Sequence, residues 1–106
     1  MFVTMNRIFV SDNYTDEFEE RFKNRAHEVD KMDGFVRNIV LRPKQKEDPY
    51  VVMTFWNSES DFDNWVNSDA FKKGHAKSGT LPKYAFSGQS HLESFEVFLD
   101  TEDSNL

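Results

Sequence analysis

From Phe2 to Val10 the chain alternates, with Phe2, Thr4, Asn6, Ile8 and Val10 on one face and Val3, Met5, Arg7 and Phe9 on the other, which predicts a strand. From Asn13 to Val29 the period becomes helical: Phe18, Phe22 and Val29 fall within about 40° of one another at 100° per residue, and Tyr14 precedes Phe18 by four. Asn13 and Thr15 are the cap candidates for this helix. Asp33-Gly34 signals a turn, after which Phe35 to Leu41 reads as a strand ended by Pro43 and the polar run Lys44 to Asp48. Tyr50 to Trp56 is the next strand, and the two predict a hairpin. Ser58 followed by Asp61 resembles a capping box, and Phe62, Trp65 and Val66 stand at i, i+3 and i+4, so a second helix starts here. Ser68-Asp69 is a renewed cap signal. A straight helix would carry His75 about 80° off the face of Trp65, so a break between them is predicted, followed by a short helix over Asp69 to Lys77 with Phe71 and His75 on one face. Gly79 to Gly88, with Pro82, is a loop long enough to suspect function, Phe95 to Leu99 the last strand, and Thr101 to Leu106 an acidic tail.

Strand, helix, strand, strand, helix, strand is the order of an α+β, ferredoxin-like fold: an antiparallel sheet with helices on one face. The strand at Tyr50 to Trp56 is apolar on both faces, so the uncovered face needs a partner, and a second copy of the chain supplies it; a homodimer is expected. A length of 106 residues fits one domain, taken as residues 1–99, with 100–106 as a flexible tail. The net charge of −6 has the wrong sign for a nucleic-acid or anionic-membrane partner. There is no Cys, hence no disulfide, zinc-thiolate or Cys-nucleophile chemistry, and no apolar run of membrane-spanning length. The first ten residues lack a signal-peptide pattern, so a cytoplasmic location is expected.

Few residues remain as candidates for chemistry. Asn6 stands in mid-strand, where Asn is disfavoured, and its amide suits a small polar molecule such as dioxygen or water; the alternative is a local structural role. Of three histidines, His27 falls on the solvated face of the first helix and His91 beside a turn at the start of the last strand. His75 follows Gly74, precedes the long loop and has no second ligand at chelate spacing. A lone His fits a metal whose other ligands come from a macrocycle, as in haem, or else a surface or core histidine. Trp65 either walls a ligand pocket or fills the core, and Lys72, Lys73 and Lys77 either meet acidic ligand groups or face solvent. No Gly-rich phosphate loop, nucleophile elbow or dinucleotide fingerprint is present.

Taken together, Asn6, Glu20-Arg21-Phe22 and Trp65-x-x-Ser68-Asp69-x-Phe71-x-x-x-His75 resemble the IsdG-type haem-degrading monooxygenases of the antibiotic biosynthesis monooxygenase superfamily. The resemblance runs over about residues 1–99, and Gly34-Phe35-Val36-Arg37-Asn38, Leu41-Arg42-Pro43-Lys44 and Leu81-Pro82-Lys83 are most similar to its bacillus-type haem monooxygenases. It implies a dimeric α+β barrel with one haem per subunit. It implies His75 as axial ligand of the haem iron, Asn6 on the opposite side of the haem, Trp65 pressing the porphyrin out of plane, and Phe22 and Phe71 lining the pocket. Haem is then both cofactor and substrate, opened with O2 and electrons from an external reductase, with release of iron. Two other readings share these residues: a haem-binding protein that never opens the ring, and a cofactor-free monooxygenase acting on a polycyclic quinol.

Overall fold

Phe2–Ile8 (β1), Phe35–Leu41 (β2), Tyr50–Trp56 (β3) and His91–Glu96 (β4) form one antiparallel sheet in the order β2-β3-β1-β4, in a computed structural model that describes residues 1–24, 29–72 and 81–102. Two helices, Thr15–Lys23 (α1) and Glu59–Val66 (α2), lie on one face of it. Phe18 of α1 packs on Tyr50, ring centroids 4.7 Å apart, and Phe62 of α2 packs on Phe2 at 5.6 Å. This is the expected ferredoxin-like arrangement. The expected hairpin is present too, with β2 and β3 paired through a register shift between Phe35 and Arg37.

Register defines the helix-side face. Directly paired residues share a face, so four cross-strand rows stand under the helices. They are Tyr50–Ile8, then Val40–Val52–Asn6–Leu92, then Asn38–Thr54–Thr4–Ser94, then Phe35–Trp56–Phe2–Glu96. The buried core divides in two along these rows. One cluster is Phe2, Val29 and the fully buried Trp56, with Phe35, Phe62 and Trp65 packed against it. The other is Val10, Phe18 and Tyr50, with Ile8, Phe22 and Leu81 against it. The two middle rows belong to neither cluster.

Several element boundaries differ from the expected ones. β1 ends at Ile8, and Val10 makes only an isolated bridge to Phe86. The first helix is shorter than Asn13 to Val29: Asn13 lies in a 3-10 turn, Asp12–Tyr14, no side chain caps α1, and Asn24 ends it with its backbone N–H on Glu20 O. Val29 is buried as its period predicts, but from a separate 3-10 turn, Val29–Lys31, and in the other cluster from Phe18. The last strand is His91–Glu96 and not Phe95 to Leu99, because its partner β1 begins at Phe2, opposite Glu96. Beyond it Val97 N–H reaches Met1 O, and Phe98 and Leu99 are exposed. The described part of the expected loop is held down: it contains the turn Lys83–Ala85, and backbone bonds Ser11 N–H to Ala85 O and Ser87 N–H to Phe9 O tie it to the end of β1.

Candidate functional site

Asn6 stands in the second helix-side row, beside Val52 and Leu92. Among the described residues its carboxamide has no hydrogen-bond partner, so the strand carries a polar group that the fold itself does not use. Its row is apolar and incompletely covered: Val40 is 39% and Leu92 57% exposed on the side that carries the helices. The middle of this face is therefore a shelf between the two aromatic clusters, with the Asn6 amide in its more apolar row.

Helix capping sets the wall at one end. Ser58 Oγ accepts from Asp61 N–H and starts α2. At its far end Ser68 Oγ donates to Trp65 O at 2.6 Å and accepts from Phe71 N–H at 3.2 Å, which closes α2 and opens the next helical stretch, residues 69–72. The predicted break is thus present, and it brings Phe71 edge-on against Trp65, centroids 5.5 Å apart. Phe22 stands at the other end, packed on Phe18 at 4.9 Å. The structure hence brings Trp65 and Phe71 together, places Phe22 in the opposite cluster, and sets Asn6 on the floor between. His75, Lys73, Lys77 and His27 lie outside the described residues. His91 pairs with Arg7, on the opposite face from Asn6.

One polar cluster was not foreseen from the sequence. Glu19 of α1 accepts from Arg42 Nε at 2.8 Å, from Arg42 Nη2 and from the Tyr50 hydroxyl. The Arg42 bonds, with the Tyr50 bond second, hold the Glu19 carboxyl down to about 2, while burial and then the Glu19 bond push the Tyr50 phenol up to about 12. This clamp borders an open cleft of about 720 Å³, walled by Phe18, Phe22, Val40 and Tyr50. Phe22 faces both this cleft and the cluster beside the shelf. Glu19 lies on α1, Tyr50 on β3 and Arg42 just after β2, and no local spacing relates them. Among the described residues no group of three or more His, Cys, Asp or Glu could hold a metal ion, and no helix is long and apolar enough to cross a membrane.

Comparison with known proteins bears on this arrangement. The profile of the family described as antibiotic biosynthesis monooxygenase matches residues 1–77. A haem oxygenase (mycobilin-producing) of Mycobacterium tuberculosis is 39% identical over 98 residues, 92% of this chain and 90% of that one. Among solved structures, the haem-degrader MhuD of M. tuberculosis, with two haems bound in its active site, is 36% identical, with a TM-score of 0.75 over 94% of this chain and 98% of that one. SnoaB of Streptomyces nogalater, a cofactor-independent oxygenase, shares the fold at 22% identity and a TM-score of 0.75, covering 96% and 97% of the two chains.

Proposed function

The chain belongs to the antibiotic biosynthesis monooxygenase family, and from that premise we propose that it is a haem-degrading monooxygenase, binding haem and opening the porphyrin oxidatively with release of iron. The observation that carries this reading is the 39% identity to a haem oxygenase across 92% of the chain. The shelf agrees with it: a flat apolar ring needs an apolar floor between aromatic walls, and the row Val40–Val52–Asn6–Leu92 between the Trp65 and Phe22 clusters offers one.

In this proposal the residues divide the work. His75 would hold the haem iron, Asn6 would offer its amide to a small polar molecule beside it, Trp65 would bear on the porphyrin, and Phe22 and Phe71 would line the pocket. Bound haem supplies both the iron at which O2 is activated and the carbon that is oxidised, with electrons from an external reductase. The protein's part is to bind the ring, distort it and shield it from bulk solvent. A homodimer belongs to the same proposal, because the second face of the sheet is apolar around Met5, Met53 and Ile39. So does a cytoplasmic location, in keeping with a chain that has no Cys to cross-link.

An absorption titration with hemin, followed by ascorbate in air with catalase present, tests the reading. A sharp Soret band that then decays with release of chelatable iron is expected. A band that persists under reductant would identify a non-degrading haem-binding protein, and no band at all would direct attention to quinol substrates. His75→Ala is expected to lose stable haem ligation, and a variant that keeps the wild-type Soret band and turnover removes that residue from its role.

A further inference from the structure

Two hydroxyls stand beside Asn6 and are unused by the reaction as described. Thr4 precedes Asn6 by two residues on β1, so both side chains leave the same face. Across the sheet Thr4 pairs with Thr54 and Ser94, which places the row Asn38–Thr54–Thr4–Ser94 between the row of Asn6 and the cluster that carries Trp65.

Thr4 is 5% exposed. At so buried a position Val has the same shape and avoids the cost of enclosing an unpaired hydroxyl. The Thr4 hydroxyl nonetheless has no hydrogen-bond partner among the described residues, where Trp56 Nε1 is the one side-chain polar atom both sealed from solvent and unpartnered. The Thr4 hydroxyl is therefore unpartnered but not fully sealed from solvent. Thr54 is oriented by its neighbour: its Oγ1 accepts from Asn38 Nδ2 at 2.8 Å, which leaves its own proton to be given away. Among the described residues nothing accepts it.

We infer that the Thr4 and Thr54 hydroxyls hold ordered water beside Asn6, and that this water carries protons to the oxygen-activating side of the haem, an inference that rests on the haem-degrading reading. Inserting one atom of O2 into a ring C–H to give C–OH, with the other atom leaving as water, takes up two electrons from the external reductant and two protons. Those protons have to cross the shelf. In the rows of Asn6 and Thr4 the described residues offer no carboxylate, imidazole or ammonium, only amides and hydroxyls. Hydroxyl-held water is the carrier this floor can support. Thr4 and Thr54 are positioning residues in this scheme, acting through the water they hold.

The test compares hemin-loaded wild type with Thr4→Val, Thr54→Val and Thr4→Ser. Valine keeps the shape of threonine and removes the hydroxyl, so hemin affinity and the Soret band are expected to stay at wild-type values while ring opening slows by at least about tenfold. The C–O stretch of carbon monoxide on the ferrous haem, which reports hydrogen-bond donors on that side, is expected to shift in both valine variants. Thr4→Ser, which restores the hydroxyl, is expected to recover the wild-type stretch and rate. Valine variants that open the ring at the wild-type rate with an unmoved stretch overturn the inference, as does a serine variant that behaves like valine. A wild type that binds no hemin overturns instead the functional reading on which it rests.

Discussion

Glu19 does at one residue what a helix face usually does with many: it ties α1 to the sheet through Arg42 and Tyr50. Its carboxyl is held near 2 against an ordinary 4.5, so the stability it contributes is fully present above about pH 4.5 and is lost as the pH falls through about 2. Tyr50 runs the other way. Its phenol is held near 12 against an ordinary 10.0, so its contribution is present below about pH 10 and is lost as the pH rises through about 12. Denaturation midpoints measured across pH are expected to fall at both extremes, with Glu19→Gln flattening the acid limb and Tyr50→Phe the alkaline one. At neutral pH, Tyr50→Phe is expected to cost about 1 kcal/mol by chemical denaturation, the worth of one hydrogen bond. Gly34 is less forgiving. It has a φ of +81°, and a Cβ there would run into the Asp61 carboxylate. Gly34→Ala combines a left-handed backbone with a clash and is expected to cost more than about 2 kcal/mol in the same measurement.

Among the elements, those with a local signal were legible in the sequence. Ser58 and Ser68 are short side chains placed where backbone N–H groups lack partners, and they start α2 and its successor where expected. Ser68→Ala is expected to cost about 1 kcal/mol of stability and, by loosening Phe71 against Trp65, to weaken hemin binding in an absorption titration. The extent of α1 was not legible. Periodicity alone joined Val29 to the face of Phe18, although the two reach different clusters from different elements. Nor could the sequence locate β4, whose end depends on where β1 begins, nor the Glu19 clamp, which exists only once α1, β3 and the residue after β2 have met. The candidate site divides in the same way. Asn6, Trp65 and Phe71 stood out by residue type and spacing, whereas the place of Thr4 and Thr54 beside Asn6 is a property of cross-strand register.

For the whole molecule, the sheet has one face under helices and one apolar face that the described helices leave uncovered, with Met5, Met53 and Ile39 in one row and Val51 and Leu41 in the next. Arg37 lies over the ring of Phe55, its guanidinium 5.0 Å from the centroid, and Arg7 pairs with Glu93 on the same face. Met53→Glu puts a charge at the centre of this face, and sedimentation is expected to show a dimer for the wild type and a monomer for the variant; a monomeric wild type removes the dimer from the proposal.

The division of the core also bears on how the molecule breathes. Among the described residues the two packed clusters share no side chain, and the seam between them runs along the row of Asn6. Amide hydrogen exchange in the free protein is then expected to resolve two cooperative units, one reporting from Trp56 and one from Tyr50, that open independently of each other. A rigid disc seated across the seam would couple them into one, so ligand binding would be written into the exchange rates of amides far from any atom it touches.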